Sequence, residues 1–299
     1  MRQRLLILCP GQGSQDAGMF DLMRSDARAA AMLASFRLPE DPALLFANRH
    51  AQPAIVGCAL ATWEALRDAA PAPALVAGYS IGELAAYGVA GALTPTDAVQ
   101  LAGTRARLMS DCLQSHPGQT LAAVSDLLLP QVAELVAGDL FYIAIETGED
   151  SCIVGGPAAG LAAIMEKVVA AGGRATALNV EVASHTPYMQ GAVAPFAAAL
   201  RDSGFHPQIA PVLSGIAAEK IEGKALAIEH LSRQLAEKIV WSDCMDACAE
   251  AAVTVALELG PGASLSRMLQ MRHPEIACRS VADFRSLDGV KKWLGKQFQ

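Results

Sequence analysis

The sequence predicts an α/β fold in which a parallel sheet forms the core and a smaller unit is inserted. Short apolar segments at 4–9 and 74–78 have the length of buried strands, and helical patterns alternate with them. This alternation is typical of layered α/β proteins. Farther along, about 60 residues follow the order β-α-β-β-α-β, which is the order of a ferredoxin-like unit.

The first part of the chain supplies the beginning of the large domain. Residues 4–9 are predicted as a buried strand, because Pro10-Gly11 ends the apolar stretch too early for a signal peptide. Helices are predicted at 19–35, 53–70, 82–90 and 95–113. The last of these has the clearest start, since Thr94 can cap it and Pro95 suits its first position.

The middle of the chain carries the ferredoxin-like pattern. Its strands are predicted at 121–124, 140–146, 151–155 and 174–182, and its helices at 129–137 and 157–171. Helices near 187–203 and 225–251 follow, with strands near 210–214 and 253–259 and a Gly-Pro-Gly turn at 260–262. We therefore expect a large α/β domain from 1–118 and 186–299, and a ferredoxin-like subdomain from 119–185.

Composition excludes several classes of protein. Of 299 residues, 53% are hydrophobic and 18% charged, which excludes disorder, and no apolar run reaches the roughly 18 residues of a membrane helix. The net charge of −7 argues against a nucleic-acid partner. Seven cysteines without paired spacing predict no disulfide framework and a cytoplasmic location. No metal site is expected, because Cys244 and Cys248 lack further ligands at suitable spacing.

A candidate nucleophile lies between the strand at 74–78 and the helix at 82–90. Gly78-Tyr79-Ser80-Ile81-Gly82 has the Gly-x-Ser-x-Gly pattern of a nucleophile elbow, in which a sharp turn raises one hydroxyl into a cleft. The order of strand, turn and helix makes the large domain α/β-hydrolase-like. The following helix would point its unpaired N–H groups toward an acyl oxyanion at Ser80. An ordinary turn remains the alternative for so short a motif.

A serine needs a base, and His185 is the best candidate among the six histidines. It stands where the small subdomain rejoins the large domain, and clefts form at such junctions. The alternative is that His185 only begins a helix.

Two further segments carry candidate binding groups. The loop Cys9-Pro10-Gly11-Gln12-Gly13-Ser14-Gln15 follows the first strand, and a backbone N–H there could complete an oxyanion hole. This loop lacks the residues of a phosphate-binding loop, and a plain strand-to-helix turn is the alternative.

Arg105 and Arg107 lie two apart on one helix, so only one is expected to point inward. A buried arginine near the nucleophile would select substrates with a free carboxylate, whereas exposure is the alternative for both.

Together these residues resemble the malonyl-CoA:acyl-carrier-protein transacylase family over nearly the whole chain. The matching segments are, in order, Pro10 to Gln15, Gln52 to Ile55, Gly78 to Glu83, Arg105 with Met109, Ser184-His185 and Glu258 to Gly262. Five or six motifs in the same order identify a family far more specifically than a single motif does.

The resemblance implies a ping-pong transfer of malonyl from malonyl-CoA, with no permanently bound cofactor, to the thiol of an acyl carrier protein. Ser80 would form a malonyl ester, with His185 as base and then acid. The N–H groups of Gln12 and Ile81 would hold the oxyanion, and Arg105 would hold the malonyl carboxylate. The family orients its histidine with a backbone carbonyl, which we place at Val240.

One residue departs from the fatty-acid-synthesis members, which usually carry histidine where this chain has Tyr79. The segment around Tyr79 more closely resembles the malonyl-transfer (epsilon) subunit of malonate decarboxylase, whose acceptor is a small carrier subunit with a dephospho-CoA-like group. The alternatives are the fatty-acid-synthesis transacylase, a serine esterase and a non-catalytic module that binds a carrier protein. The early position of His185 disfavours the esterase.

Overall fold

Two β-sheets flanked by helices form the framework of the computed structural model, which describes residues 3–39 and 42–299. The strands in these ranges are β1 (Leu5–Cys9), β2 (Leu75–Gly78), β3 (Gln119–Ser125), β4 (Tyr142–Glu146), β5 (Ser151–Pro157), β6 (Arg174–Leu178), β7 (Val212–Leu213), β8 (Lys220–Ile221), β9 (Ile239–Val240), β10 (Val255–Glu258) and β11 (Ala277–Ser280). The α/β class predicted from the sequence is confirmed.

The α-helices surround these sheets. They are α1 (Asp21–Arg24), α2 (Ala27–Ser35), α3 (Asn48–Leu66), α4 (Gly82–Val89), α5 (Pro95–Ser115), α6 (Leu129–Val136), α7 (Leu161–Ala170), α8 (Gln190–Asp202), α9 (Lys224–Arg233), α10 (Trp241–Glu250), α11 (Ser264–Arg272) and α12 (Leu287–Gln297). The Thr94 hydroxyl caps α5 by accepting the Asp97 N–H, as predicted. Among the described residues, no helix is both long and apolar enough to cross a bilayer.

The larger sheet has the strand order β11-β10-β1-β2-β7-β8, and every neighbouring pair except β7 and β8 is parallel. All five side chains of β1 are buried, which explains its uninterrupted apolar sequence. Leu5 and Ile7 contribute to one apolar cluster, and Leu6 and Leu8 contribute to another. The core therefore lies on both faces of this sheet.

The smaller sheet has the order β6-β3-β5-β4-β9. Its first four strands are antiparallel and occur with α6 and α7 in the predicted β-α-β-β-α-β order. The fifth strand, β9, pairs in parallel with β4 and places Ile239 opposite Ile145. Because β9 lies outside 119–185, a part of the chain that was assigned to the large domain completes this sheet.

The helix predicted at 225–251 is wrong in its middle. The chain leaves α9 after Arg233 and forms β9 before α10 begins at Trp241. Pairing with β4, which is distant in sequence, outweighs local helical preference here. Likewise, the helix predicted at 19–35 divides into α1 and α2, and the sequence patterns did not identify β8, β11 or α12.

The glycines of the elbow allow β1, β2 and α4 to meet closely. A Cβ on Gly82 would stand 2.1 Å from the Cys9 carbonyl oxygen, and one on Gly78 would stand 2.3 Å from the Glu83 nitrogen. Real Cβ atoms do not approach other atoms so closely, so both positions require glycine. This packing brings the loop after β1 against the turn that carries Ser80.

Candidate active site

Ser80 occupies the turn between β2 and α4. Its φ angle is +55°, in the left-handed region that non-glycine residues seldom adopt. Such strain persists only where the surrounding structure enforces it, and it is common at functional sites. The side chain is half-buried, and two other predicted residues, His185 and Arg105, lie within hydrogen-bond distance of its Oγ.

His185 is buried and has a φ of +62°. Its Nε2 lies 2.7 Å from Ser80 Oγ, and its Nδ1 lies 2.6 Å from the Gln234 carbonyl oxygen. A carbonyl can only accept a hydrogen bond, so Nδ1 carries the proton and Nε2 accepts from the Ser80 hydroxyl. The arrangement is a serine–histidine pair with the base in the required tautomer.

The prediction that the Val240 carbonyl orients the histidine is wrong. Val240 belongs to β9, where it pairs with Glu146 and its N–H donates to the Gly215 carbonyl at 2.9 Å. Gln234 follows the last residue of α9, and carbonyls at a helix C-terminus have no partner within the helix. The end of α9 thus provides the acceptor that His185 uses.

Arg105 is only 2% exposed, so the exposed alternative does not apply to it. Its Nη1 donates to Gln52 Oε1 at 2.8 Å, and its Nη2 lies 3.3 Å from Ser80 Oγ and 3.5 Å from Gln234 Oε1. Arg107, by contrast, is exposed and forms an ion pair with Asp111. Of the two arginines, it is Arg105 that reaches the nucleophile.

Burial sets the charges of these groups. It lowers the pKa of Arg105 to about 10, against the opposing effect of the Glu83 carboxylate, and the guanidinium remains charged at neutral pH. Burial, and then the positive charge of Arg105, lower the pKa of His185 to about 3, although its bond to the Gln234 carbonyl opposes the shift. The site therefore combines a fixed cation with a neutral imidazole, which can accept a proton.

The two amides predicted to hold an oxyanion belong to adjacent segments. The Tyr79 N–H donates to the Cys9 carbonyl at 3.0 Å, which holds the loop after β1 against the elbow. In that loop, Gly13 N–H donates to Gln15 Oε1 at 2.7 Å. Within residues 3–39 and 42–299, no acceptor is found for the N–H of Gln12 or Ile81. Neither N–H is therefore committed to another group in this part of the chain, and their role stays a prediction.

Three buried polar residues support this site, and sequence reasoning gave none of them a role. Gln52 and Glu83 lie within the motifs noted above, but only the structure shows that Gln52 contacts Arg105 and that Glu83 contacts Gln234. Gln234 lies within the segment 225–251, which was predicted as one continuous helix and therefore gave no sign of a functional carbonyl there. The β-branched pair at 239–240 was the one local indication that this helix ends early.

A cleft of about 660 Å³ lies beside Tyr79, the residue before Ser80. One wall comes from the smaller sheet and includes Thr147 and Arg174; the other includes Met245 and Arg272. Arg174 is paired with Asp126 and Arg272 with Asp246, so both cations of this largely apolar cleft already have carboxylate partners. In the described part of the chain, no three His, Cys, Asp or Glu residues lie close enough together to hold a metal.

Comparisons with known proteins identify the family to which the chain belongs. A family model of the acyl transferase domain matches residues 7–286. The malonyl CoA-acyl carrier protein transacylase of Mycobacterium bovis is 29% identical over 301 residues, covering 95% of this chain and 98% of the relative. Its Bacillus subtilis namesake is 27% identical over 305 residues, covering 95% of each chain. The solved malonyl-CoA:acyl carrier protein transacylase of Xanthomonas oryzae, at 26% identity, matches with a TM-score of 0.89 over 100% of both chains. The chain therefore belongs to the acyl transferase domain family.

Proposed function

We propose that this acyltransferase moves a malonyl group from malonyl-CoA to the thiol of an acyl carrier protein through an ester on Ser80. The observation that carries the proposal is the buried guanidinium of Arg105, 3.3 Å from Ser80 Oγ. A cation at this position suits an acyl group with a terminal carboxylate. The names of the Mycobacterium and Bacillus relatives support the same donor and acceptor.

The chemistry proceeds in two matched steps. Ser80 Oγ attacks the thioester carbonyl as its proton passes to His185 Nε2, and the N–H groups of Gln12 and Ile81 stabilise the oxyanion. Collapse breaks the carbon–sulfur bond, and the departing CoA sulfur takes the proton from Nε2. In the second step the carrier thiol gives its proton to Nε2 and its sulfur attacks the ester carbonyl; the carbon–oxygen bond to Ser80 then breaks, and Ser80 Oγ recovers the proton.

We further propose the malonate decarboxylase carrier subunit as the acceptor, on the basis of the segment around Tyr79. Tyr79 packs edge-to-face on Trp241 with ring centroids 5.1 Å apart, and Ser80 keeps its contact with His185. The usual histidine at this position is therefore not needed for the chemistry. The acyl carrier protein of fatty-acid synthesis is the second candidate, because the relatives named above are acyl carrier protein transacylases.

Loading the protein with malonyl and then transferring the group to a carrier tests both proposals, the malonyl ester on Ser80 and the identity of the carrier. Brief incubation with malonyl-CoA is expected to add one malonyl mass to the intact protein, and peptide digestion should place it on Ser80. The loaded protein is then offered a fatty-acid-type carrier protein and, separately, the malonate decarboxylase carrier. Faster transfer to the second supports the finer proposal, and faster transfer to the first contradicts it. Release of free malonate with neither carrier accepting would instead indicate an esterase, and no adduct under rapid quenching a non-catalytic module.

The pH dependence of acylation should reflect the buried histidine. For a histidine with its ordinary pKa of about 6.5, the neutral fraction would fall about 25-fold between pH 7 and pH 5. Because the pKa of His185 is lowered to about 3, we expect the acylation rate constant to stay nearly level over that range. Rapid-quench mass spectrometry measures this rate constant, and a fall of about 25-fold would contradict the lowered pKa of His185.

Protein stability must be followed alongside this profile. The unfolded chain protonates His185 near its ordinary pKa, whereas the folded chain does so only near pH 3. The unfolded state therefore binds more protons between these values, and this group lowers the free energy of unfolding as the pH falls. Circular dichroism at each pH separates loss of folded protein from loss of the base.

A further inference from the structure

Glu83 is a buried carboxylate that the proposed steps do not use. It lies in the first turn of α4, three residues after Ser80, and is 1% exposed. Its Oε2 accepts from the Gly215 N–H at 3.0 Å and from Gln234 Nε2, whereas Oε1 has no partner among the described residues. Burying an incompletely bonded carboxylate is costly, so its position calls for a reason beyond packing.

The contacts of Glu83 determine how the Gln234 side chain is turned. A carboxylate oxygen accepts hydrogen bonds, and the guanidinium of Arg105 only donates them. Gln234 lies between the two groups, with Nε2 toward Glu83 and Oε1 3.5 Å from Arg105 Nη2. Turning the amide over would place donor against donor and acceptor against acceptor. Burial raises the pKa of Glu83 to about 8, but a proton on Oε1 would leave Oε2 an acceptor and the argument unchanged.

Gln234 in turn contacts both functional partners of Ser80. Its main-chain carbonyl accepts the His185 Nδ1 proton at 2.6 Å, and its side-chain oxygen faces Arg105. Gln234 itself is 1% exposed and caps the end of α9, where its N–H donates to the His230 carbonyl at 2.9 Å. The main chain of Gln234 is thus held by α9, and Glu83 is the group that fixes the side chain of this residue, which contacts both the base and the cation.

We propose that Glu83 is a positioning residue that acts through Gln234 on both His185 and Arg105. The inference rests on the proposed function only for the choice of acyl group. Releasing Gln234 should slow acylation, because the imidazole loses its fixed orientation. It should also reduce the preference for malonyl over acetyl, because Arg105 loses an acceptor that sets its direction. A group needed only for folding would not change that preference.

Three variants test the proposal by the rate of acyl-enzyme formation from malonyl-CoA and acetyl-CoA. Glu83→Ala should lower the malonyl rate about tenfold or more and reduce the malonyl-to-acetyl ratio, as expected for a lost buried hydrogen bond. Glu83→Gln should keep both within about threefold, because an amide oxygen in place of Oε2 can accept the same two N–H groups. Glu258→Ala is the matched control; Glu258 is a buried carboxylate that accepts the N–H groups of Leu265 and Ser266. Its loss should leave the ratio unchanged.

Glu83→Asp replaces Glu83→Ala if the alanine variant does not fold. Its carboxylate is one methylene shorter and cannot reach both donors, so the ratio should fall. A folded Glu83→Ala or Glu83→Asp with the wild-type rate and ratio would overturn the proposal, as would a Glu83→Gln variant as impaired as the alanine variant.

A double-mutant cycle shows whether the effect passes through Gln234. Gln234→Met keeps the main-chain carbonyl but removes both side-chain contacts, so adding Glu83→Ala should reduce the ratio no further. Independent, additive losses would overturn the proposed route. If the wild type loads a different acyl group, the proposed substrate is wrong, and the same variants are compared by the loading rate of that group.

Discussion

Replacing Ser80 with alanine should abolish the covalent acyl-enzyme and reduce transfer by about 10⁴-fold or more, the scale of loss when a serine nucleophile is removed. Ser80 Oγ is the atom that His185 Nε2 contacts at 2.7 Å and that Arg105 approaches at 3.3 Å. Alanine removes this atom. Intact-protein mass spectrometry after incubation with malonyl-CoA measures the adduct directly.

A second serine serves as the control for Ser80→Ala. Ser203 is half-buried and donates to the Leu200 carbonyl at 2.7 Å, so Ser203→Ala removes a hydroxyl of similar burial outside the site. That variant should form the adduct at the wild-type rate. An undiminished malonyl adduct on the Ser80→Ala protein would show that another residue is the nucleophile.

Replacing Arg105 with alanine should weaken malonyl loading far more than acetyl loading. A malonyl carboxylate left without its cation in a buried site loses roughly 2–4 kcal/mol, or about 30- to 1,000-fold in rate. An acetyl group has no carboxylate, so its loading rate is not reduced in this way. The positive charge of Arg105 also helps lower the pKa of His185, but that effect is common to both acyl groups and cancels in their ratio.

Arg107 offers a matched control on the same helix. Arg107→Ala removes an equal side chain from the exposed face, where it pairs with Asp111 at 3.3 Å, and should leave both loading rates unchanged. The ratio of acylation rate constants for malonyl-CoA and acetyl-CoA is the quantity to compare. An equal fall for both acyl groups in Arg105→Ala would mean that this arginine supports the structure and does not recognise the carboxylate.

The parts of the site that could be predicted are those with local sequence signals. The elbow follows from the glycines two residues before and after Ser80, and the start of α5 follows from Thr94 and Pro95. The sequence did not determine whether Arg105 or Arg107 points inward, and the structure shows that Arg105 is the buried one. Each local expectation depended on residues that are neighbours in the chain.

The errors arose where contacts are distant in sequence. The carbonyl placed at Val240 belongs to Gln234, because α9 ends there and β9 pairs with β4, almost a hundred residues earlier. No local pattern reports such pairing, and a main-chain carbonyl has no residue type by which to recognise it. Glu83 lies in a recognisable motif, but no sequence signal pointed to its hydrogen-bond partner Gln234.

The fifth strand of the smaller sheet has a consequence for protein engineering. β9 brings Ile239 beside Ile145, and Lys238 forms an ion pair with Glu146, so the segment just after Gln234 is joined to the unit at 119–185. Exchanging that unit with one from a relative would give β9 a foreign neighbour and disturb the carbonyl that holds His185. A chimaera intended to change the acyl group or carrier should therefore exchange 234–240 together with the small unit.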